Sequence, residues 1–303
     1  MADKGPSRTA LGAAAHRAAH QTVDGAAIFA DPFARAILGL NADAIIAEFA
    51  AAHPTQTRMR IFMTARSRFA EDHLWLAVAR GVRQAVILGA GHDTFALRNP
   101  AREQGLRVFE VDHPATQSWK RKRLAEVGLA IPAWLTFVAA DLEQRDLPSA
   151  LVAAGFDLNR PAFFVWLGVV PYLPREVITS TLRFVASVPG SEVVFDYTEP
   201  LDNYPERRRA YMAEVAARVA ELGEPWISYL DPTELSAELR EHGFHEQEHL
   251  GLSEIAVRYE GTPRQGATEK TPGPHVIRAR RTTNCASSVW DNEQPYRQHA
   301  AAA

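Results

Sequence analysis

Sulfur is scarce in this chain, which has a single cysteine, Cys285, and four methionines. A lone cysteine excludes an intrachain disulfide and a thiolate metal cluster built within one chain, and it suits a reducing compartment. An excess of either charge is equally missing. Lys and Arg number 33 against 36 Asp and Glu, a formal net charge of −3, and no basic face for duplex nucleic acid follows from that balance. No run approaches the roughly 18 apolar residues that a membrane helix needs. Met1-Ala-Asp-Lys-Gly-Pro-Ser-Arg8 carries no apolar signal core. The expectation is a soluble cytoplasmic protein that partners neither nucleic acid nor membrane. Neither a G-x-S-x-G nucleophile elbow nor a G-x-x-x-x-G-K-[ST] phosphate loop is present.

What is present supports a full core: 47% of the 303 residues are hydrophobic, enough for one large domain or two small ones. The first 80 or so residues read as helical. Residues 7–20 are alanine-rich behind Ser7 as a candidate N-cap, and 33–52 read as one helix restarted by Asp31-Pro32 and broken at His53-Pro54. Between 60 and 80, Phe62, Ala65, Phe69, Leu76 and Ala77 recur at helical spacing, with Gly81 as a stop. Then the period changes. Apolar strand candidates stand at 84–88, 107–111, 135–139, 161–167 and 191–197, with helical patterns between them, clearest at 114–127 and 174–188. This alternation predicts an α/β protein with a parallel sheet covered by helices on both faces. A charged, aromatic segment, 198–230, follows; a helix over 203–222 would make it a lid at the carboxyl edge of the sheet. Residues 232–242 read as a short helix, 244–250 and 275–280 as two last strands, and the stretch between those strands as irregular. The organisation expected is an N-terminal helical extension (1–82), a core (83–281) carrying the lid, and a mobile tail (282–303). Lys120-Arg-Lys-Arg123 reads as a solvated helix face.

The most informative stretch is Gln84-Ala-Val-Ile-Leu-Gly-Ala-Gly-His-Asp-Thr94. An apolar run ends in Gly89-Ala90-Gly91, a sharp turn that lets backbone approach a ligand closely. Against the dinucleotide fingerprint G-x-G-x-x-G, Thr94 stands in place of the third glycine. Asp112, about 20 residues on, ends the second strand run, where a carboxylate can accept from both ribose hydroxyls of an adenosine; capping the helix after His113-Pro114 is its other reading. The third run ends in Asp141-Leu142, an acceptor for an adenine amino group beside an apolar surface for its ring. This ordered set fits S-adenosylmethionine better than a nicotinamide dinucleotide. His245-Glu246-Gln-Glu-His249 matches the H-E-x-x-H zinc motif, but Gly243 has just ended a helix. In the strand expected there, positions four apart lie ~13 Å from each other, too far to share a metal. His16 and His20 share a helix face without a third ligand and read as a solvated pair; no metal is expected.

At this point a resemblance becomes specific. Thr9-Ala-Leu with Arg17, Phe29-Ala-Asp-Pro-Phe33, Ala65-Arg66-Ser-Arg68-Phe69, Val86-Ile-Leu-Gly-Ala-Gly-His-Asp-Thr94, Phe109-Glu-Val-Asp-His-Pro114, Ala140-Asp-Leu142, Tyr172-Leu173-Pro174, Phe195-Asp-Tyr197 and His275-Val-Ile-Arg-Ala-Arg280 occur in order along nearly the whole chain. Together they resemble the leucine carboxyl methyltransferase family, in its bacterial branch of S-adenosylmethionine-dependent methyltransferases. The resemblance implies a doubly wound, seven-stranded, mostly parallel sheet of the Rossmann-like class I methyltransferase type, with helical additions at the N-terminus and after the fifth strand. It implies S-adenosylmethionine as cofactor, held by Gly89, Ala90, Gly91, Asp112, Asp141 and Leu142, with Arg17 and Arg66 at its carboxylate, a pairing that guanidinium geometry favours. Many members carry a glutamate after the fourth strand; Leu167 stands at that position here.

The reaction expected is O-methylation of a carboxyl or hydroxyl group on a small molecule or peptide. A carboxylate is already ionised at neutral pH, whereas a hydroxyl or phenol needs a general base, and none stands out. No catalytic residue is therefore named. Tyr172, Tyr197 and Tyr211 are the candidates for the acceptor pocket. A nicotinamide oxidoreductase, which leaves Asp141-Leu142 without a role, and a non-catalytic cofactor-binding protein are the alternatives.

Overall fold

Four helices precede the first strand in the computed structural model, which describes residues 7–50, 54–143, 147–221, 223–261 and 272–282. Helix α1 (Arg8–Val23) starts at Ser7, whose hydroxyl accepts from the Ala10 amide at 3.1 Å. Residues 33–52 do not form one helix. They hold α2 (Ala34–Leu38) and α3 (Ala42–Phe49), separated at Gly39, whose φ is +82°. A β-carbon on Gly39 would lie 1.6 Å from the Arg123 guanidinium, so the break and the close packing of that arginine both need glycine there. The expected break at His53 falls outside the described residues. Helix α4 (Pro54–Ala79) buries Phe62, Ala65, Phe69, His73 and Ala77. Each four-residue step in that stripe advances about 40° around the helix. The stripe thus rotates along α4, and Leu76, expected on it, is left 43% exposed beside Trp75.

Strand and helix then alternate: β1 (Gln84–Leu88), α5 (Phe95–Arg98), β2 (Arg107–Asp112), α6 (Pro114–Glu126), β3 (Leu135–Ala139), α7 (Leu147–Ala153), β4 (Phe163–Trp166), α8 (Arg175–Ser187) and β5 (Glu192–Thr198). After β5 come α9 (Glu206–Glu221), α10 (Pro232–Glu241), β6 (Glu246–Gly251), α11 (Leu252–Glu260) and β7 (Pro274–Arg280). The seven strands form one sheet in the order β3-β2-β1-β4-β5-β7-β6. Strands β1 to β5 are parallel, and β7 runs antiparallel to both β5 and β6. This is the seven-stranded, mostly parallel α/β architecture that the resemblance implied. Chain order reverses between β1 and β4, which places a ligand crevice at their carboxyl ends.

Side chains divide by strand parity. Val86, Leu88, Phe164, Trp166, Phe195 and Tyr197 pack toward α7, α8 and α10. Ala85, Ile87, Phe163 and Val194 pack on the other side, against Phe62, Phe69 and Ala77 of α4 and Ile255 of α11. Helix α11 replaces part of the irregular stretch expected between the last two strands. Its start is fixed by Glu254, whose carboxylate accepts from the Gly251 amide at 2.7 Å, and Ile255 docks it on the sheet.

Two expectations about exposed charge are corrected. The basic run on α6 is a solvated face only in part: Arg121 and Lys122 are exposed, whereas Lys120 and Arg123 are largely covered. Lys120 is 2% exposed and pairs with the buried Glu110 at 2.7 Å, while the Arg121 and Arg123 guanidinium groups lie over Phe137 and Trp119. Long side chains bury their stems readily, which a count of charges along a helix does not register. His16 and His20 are also interior. His16 sits edge-on to Phe49, and His20 donates through Nδ1 to the Asp24 carboxylate while its Nε2 accepts from the Ile28 amide. His249 of the H-E-x-x-H run lies in β6, and a strand sends positions four apart well away from each other.

Candidate functional site

The turn after β1 is built around two glycines with positive φ, +65° at Gly89 and +45° at Gly91. The Gly89 and Ala90 amides donate to the Val111 carbonyl at 2.8 and 3.1 Å, folding the turn against the end of β2. There the Asp112 carboxylate accepts from the Gly91 amide at 2.5 Å and from the His113 amide at 2.7 Å. Burial raises the Asp112 pKa, and those backbone donors oppose the rise. The N-cap of α6 is His113, which accepts from the Ala115 amide, so the helix does not need Asp112 for that purpose. A β-carbon at Gly89 would lie 2.5 Å from Val169 Cγ2, and one at Gly91 would lie 3.3 Å from the Ala10 methyl. The turn is thereby held between the loop after β4 and the first turn of α1.

Thr94, in the third glycine's place, fastens the N-terminal helices to this turn. Its hydroxyl donates to Asp31 Oδ2 at 2.6 Å. Asp31 is 1% exposed, and Arg17 Nε and Arg98 Nε both stand 3.5 Å from its carboxylate. Arg17 also donates to the His92 carbonyl at 2.8 Å. Asp31-Pro32, legible in the sequence only as a helix start, is thus the clasp between α1 and the glycine turn. His92 is buried beside Trp119, and neither ring nitrogen meets a hydrogen-bond partner. Burial, with Lys120 and Arg17 nearby, pushes its pKa down to about 3, so the ring is neutral at physiological pH.

A cavity of about 820 Å³ opens at the carboxyl ends of β1, β4 and β5. Arg17, Arg66, Gly89, Ala90, Gly91, Tyr172 and Tyr211 lie in its wall. Asp112, Asp141 and Leu142 do not; they lie past the glycine turn, at and just beyond the ends of β2 and β3, where Asp141 accepts from the Glu143 amide at 3.0 Å. Tyr197 is corrected as an acceptor-pocket residue. It is 1% exposed on the α8 side of the sheet, its hydroxyl meets His249 Nδ1 at 3.2 Å, and its ring stacks on His275. The adjacent position, Asp196, points the other way along the pleat and lines the cavity.

Asp196 is the site residue that the sequence reading passed over. It is 6% exposed, accepts from the Gly168 amide at 2.5 Å and forms an ion pair with Arg66. The register that sets Trp166 beside Phe195 carries Leu167 and Gly168 alongside it. The signal available was Phe195-Asp-Tyr197 at the end of a strand, the same placement that singled out Asp112. Arg66 is 5% exposed, and among the described residues its Nε has no partner. Apolar side chains line much of the rest of the wall, with Met59, Phe62 and Met63 from α4 and Met212 and Val215 from α9. Arg58 and Arg208 also line it, and among the described residues neither meets a carboxylate. Burial raises the Tyr172 pKa, and the nearby Thr9 and Trp226 side chains oppose the rise. The Glu224 carboxylate accepts from the Arg8 and Thr9 amides at 3.2 and 3.0 Å, joining the segment after α9 to the start of α1.

Comparison with known proteins bears on the family and the fold. Residues 10–186 match the leucine carboxyl methyltransferase family. A protein of Bacillus subtilis named as a candidate S-adenosyl-L-methionine-dependent methyltransferase, YktD, is 37% identical over 63% of this chain and 63% of its own length, just under two thirds of that relative. A protein of Mycolicibacterium paratuberculosis with the same kind of name is 32% identical over 90% of this chain and 92% of its own. Among solved structures, a candidate methyltransferase from Thermobifida fusca superposes with a TM-score of 0.54 at 18% identity, covering 92% of this chain and 96% of that one, a likeness of fold.

Proposed function

The chain belongs to the leucine carboxyl methyltransferase family, whose relatives here are named for S-adenosylmethionine-dependent methyl transfer, and on that premise we propose that this methyltransferase esterifies a carboxylate of a small, largely apolar acid. The residues present suit the cofactor. A buried guanidinium nitrogen without a partner among the described residues, Arg66 Nε, is the donor that an α-carboxylate would complete, and Arg17 lines the same cavity. The glycine turn offers close backbone approach, and Asp112, Asp141 and Leu142 beyond it are the proposed ribose and adenine contacts. When bound, S-adenosylmethionine would supply an electrophilic methyl carbon on sulfur, open to in-line attack by an acceptor oxygen with S-adenosylhomocysteine as the leaving group.

The remaining task of the protein is to orient the acceptor and exclude water. Helix α1 and the segment around α9, the proposed lid, cover the cavity and are joined through Glu224. The observation that carries the carboxylate reading is the state of the titratable groups around the cavity. Asp196 is tied to Arg66 and Gly168, Asp93 accepts from the Phe95 amide at 2.7 Å, His92 has too low a pKa to take a proton near pH 7, and Tyr172 is held neutral. None of these is a base poised for a hydroxyl, and a carboxylate needs none. The apolar wall with Tyr211 would take the body of the acid, and the cavity volume is in the range of small-ligand sites.

The test is transfer of labelled methyl from the cofactor to panels of carboxylic acids, phenols and alcohols. Base-labile label on carboxylic acids is the expected result. Label confined to phenols or alcohols would replace this reading with hydroxyl methylation. Cofactor binding without transfer to any acceptor would favour a non-catalytic role.

A further inference from the structure

Asp196 and Arg66 form an ion pair buried in the cavity wall. A buried pair of this kind carries a desolvation cost that the pair alone does not always offset, which makes its placement at a binding cavity informative. A carboxylate offers about four acceptor sites and a guanidinium five donors. Asp196 directs one oxygen to Gly168 and the other to Arg66, leaving acceptor capacity on both. Among the described residues Arg66 keeps Nε unpartnered. Both residues border the same space, and so does Leu167, an apolar residue at the position where many relatives by resemblance carry a glutamate. Parallel pairing of β4 with β5 brings Asp196 next to that position, one strand over.

We propose that Asp196, from the end of β5, binds the α-ammonium group of the cofactor's amino-acid portion while Arg66 binds its α-carboxylate. This rests on the reading that the cavity takes S-adenosylmethionine. A guanidinium beside a carboxylate is the electrostatic complement of an α-amino acid zwitterion, charge for charge, and the four groups together carry no net charge into a buried site. The Gly168 amide holds Asp196 Oδ1 in place. The second carboxylate on the cavity wall among the described residues, Asp93, spends an oxygen on the start of α5.

Calorimetric titration with three ligands tests this: S-adenosylhomocysteine, its desamino analogue, and 5′-methylthioadenosine, which lacks the whole amino acid. The wild-type protein should bind the desamino analogue at least about tenfold more weakly than S-adenosylhomocysteine, the worth of one charge-assisted hydrogen bond. Asp196→Asn should abolish that preference and leave 5′-methylthioadenosine within about twofold of wild type, the same ligand reporting that the variant is folded. Equal wild-type affinity for S-adenosylhomocysteine and the desamino analogue overturns the proposal without recourse to the variant. A preference that survives in Asp196→Asn overturns it too. Failure of all three ligands to bind the wild-type protein would instead remove the cofactor reading on which it rests.

Discussion

Replacing Asp112 with alanine separates two duties that the structure assigns to one carboxylate. In the protein alone it receives the Gly91 and His113 amides at 2.5 and 2.7 Å. In the complex proposed above it also receives two ribose hydroxyls. Hydrogen bonds to a charged acceptor are worth about 1.5–3 kcal/mol each, so losing both hydroxyl contacts removes at least about 3 kcal/mol of binding, a rise of ~100-fold or more in Kd. Loss of the Gly91 contact leaves a buried amide unpaired at a cost of about 1–3 kcal/mol in stability. Calorimetry with S-adenosylhomocysteine reads the first effect, and urea unfolding reads the second. Asp112→Asn apportions them, because an amide oxygen still accepts from Gly91 while offering the ribose a weaker, neutral partner. It should recover most of the stability and only part of the affinity. An unchanged Kd in Asp112→Ala would refute the ribose assignment, and full recovery of affinity in Asp112→Asn would show that the turn alone was at stake.

Other outcomes follow from buried groups. The pKa of His16 is pushed down to about 4 by burial, with Arg60 and Arg66 nearby, and that of His92 to about 3, so between those values and the ordinary 6.5 the unfolded chain takes up protons that the folded one refuses. Stability is therefore full above pH 6.5 and falls as pH drops through that window, by at most about 1.4 kcal/mol per pH unit for each histidine. Urea midpoints at pH 7.5 and 5 should show the decline, and His16→Leu should flatten it; an identical slope in the variant would exclude His16. Lys120→Met strands Glu110 without its cation and should cost about 3–5 kcal/mol, most of it regained in the Glu110→Gln/Lys120→Met double variant. A single-variant loss below about 1 kcal/mol would show that solvent reaches this pair. Gly89→Ala forces a β-carbon against Val169 at positive φ and should destabilise by about 1–3 kcal/mol in thermal unfolding; a neutral result would mean that the loop after β4 yields freely.

The strands of the parallel sheet were legible because β1 and β5 are buried on both faces and carry the apolar runs Ala85–Leu88 and Val193–Phe195. Their spatial order was not in those runs; it entered with the resemblance. Helix α11 escaped because its nine residues are flanked by Gly, Pro and Thr, and its buried anchor, Ile255, makes no run. The division of 33–52 depends on Gly39 meeting Arg123, a contact made across distant parts of the chain. The glycine turn, Arg17, Arg66, Tyr172 and Tyr211 come together around one cavity, since each stood at an element end or on a face that the pattern specified. Tyr197 was placed toward the ligand and Asp196 passed over, because a strand buried on both faces gives no parity signal to say which residue faces the ligand. Asp31 and Lys120 take their partners from other elements, through side-chain geometry that composition does not encode.

A fragment beginning at β1 would retain every strand and most of the sheet's own core. It would lose Thr9, Arg17, Arg58 and Arg66, along with the Asp31 carboxylate that accepts from the Thr94 hydroxyl. Such a piece could display the architecture while having little with which to grip a ligand. For chimeras or minimised versions of this enzyme, the portable unit starts with the opening helices, and a boundary drawn by strand content alone would cut through the binding wall.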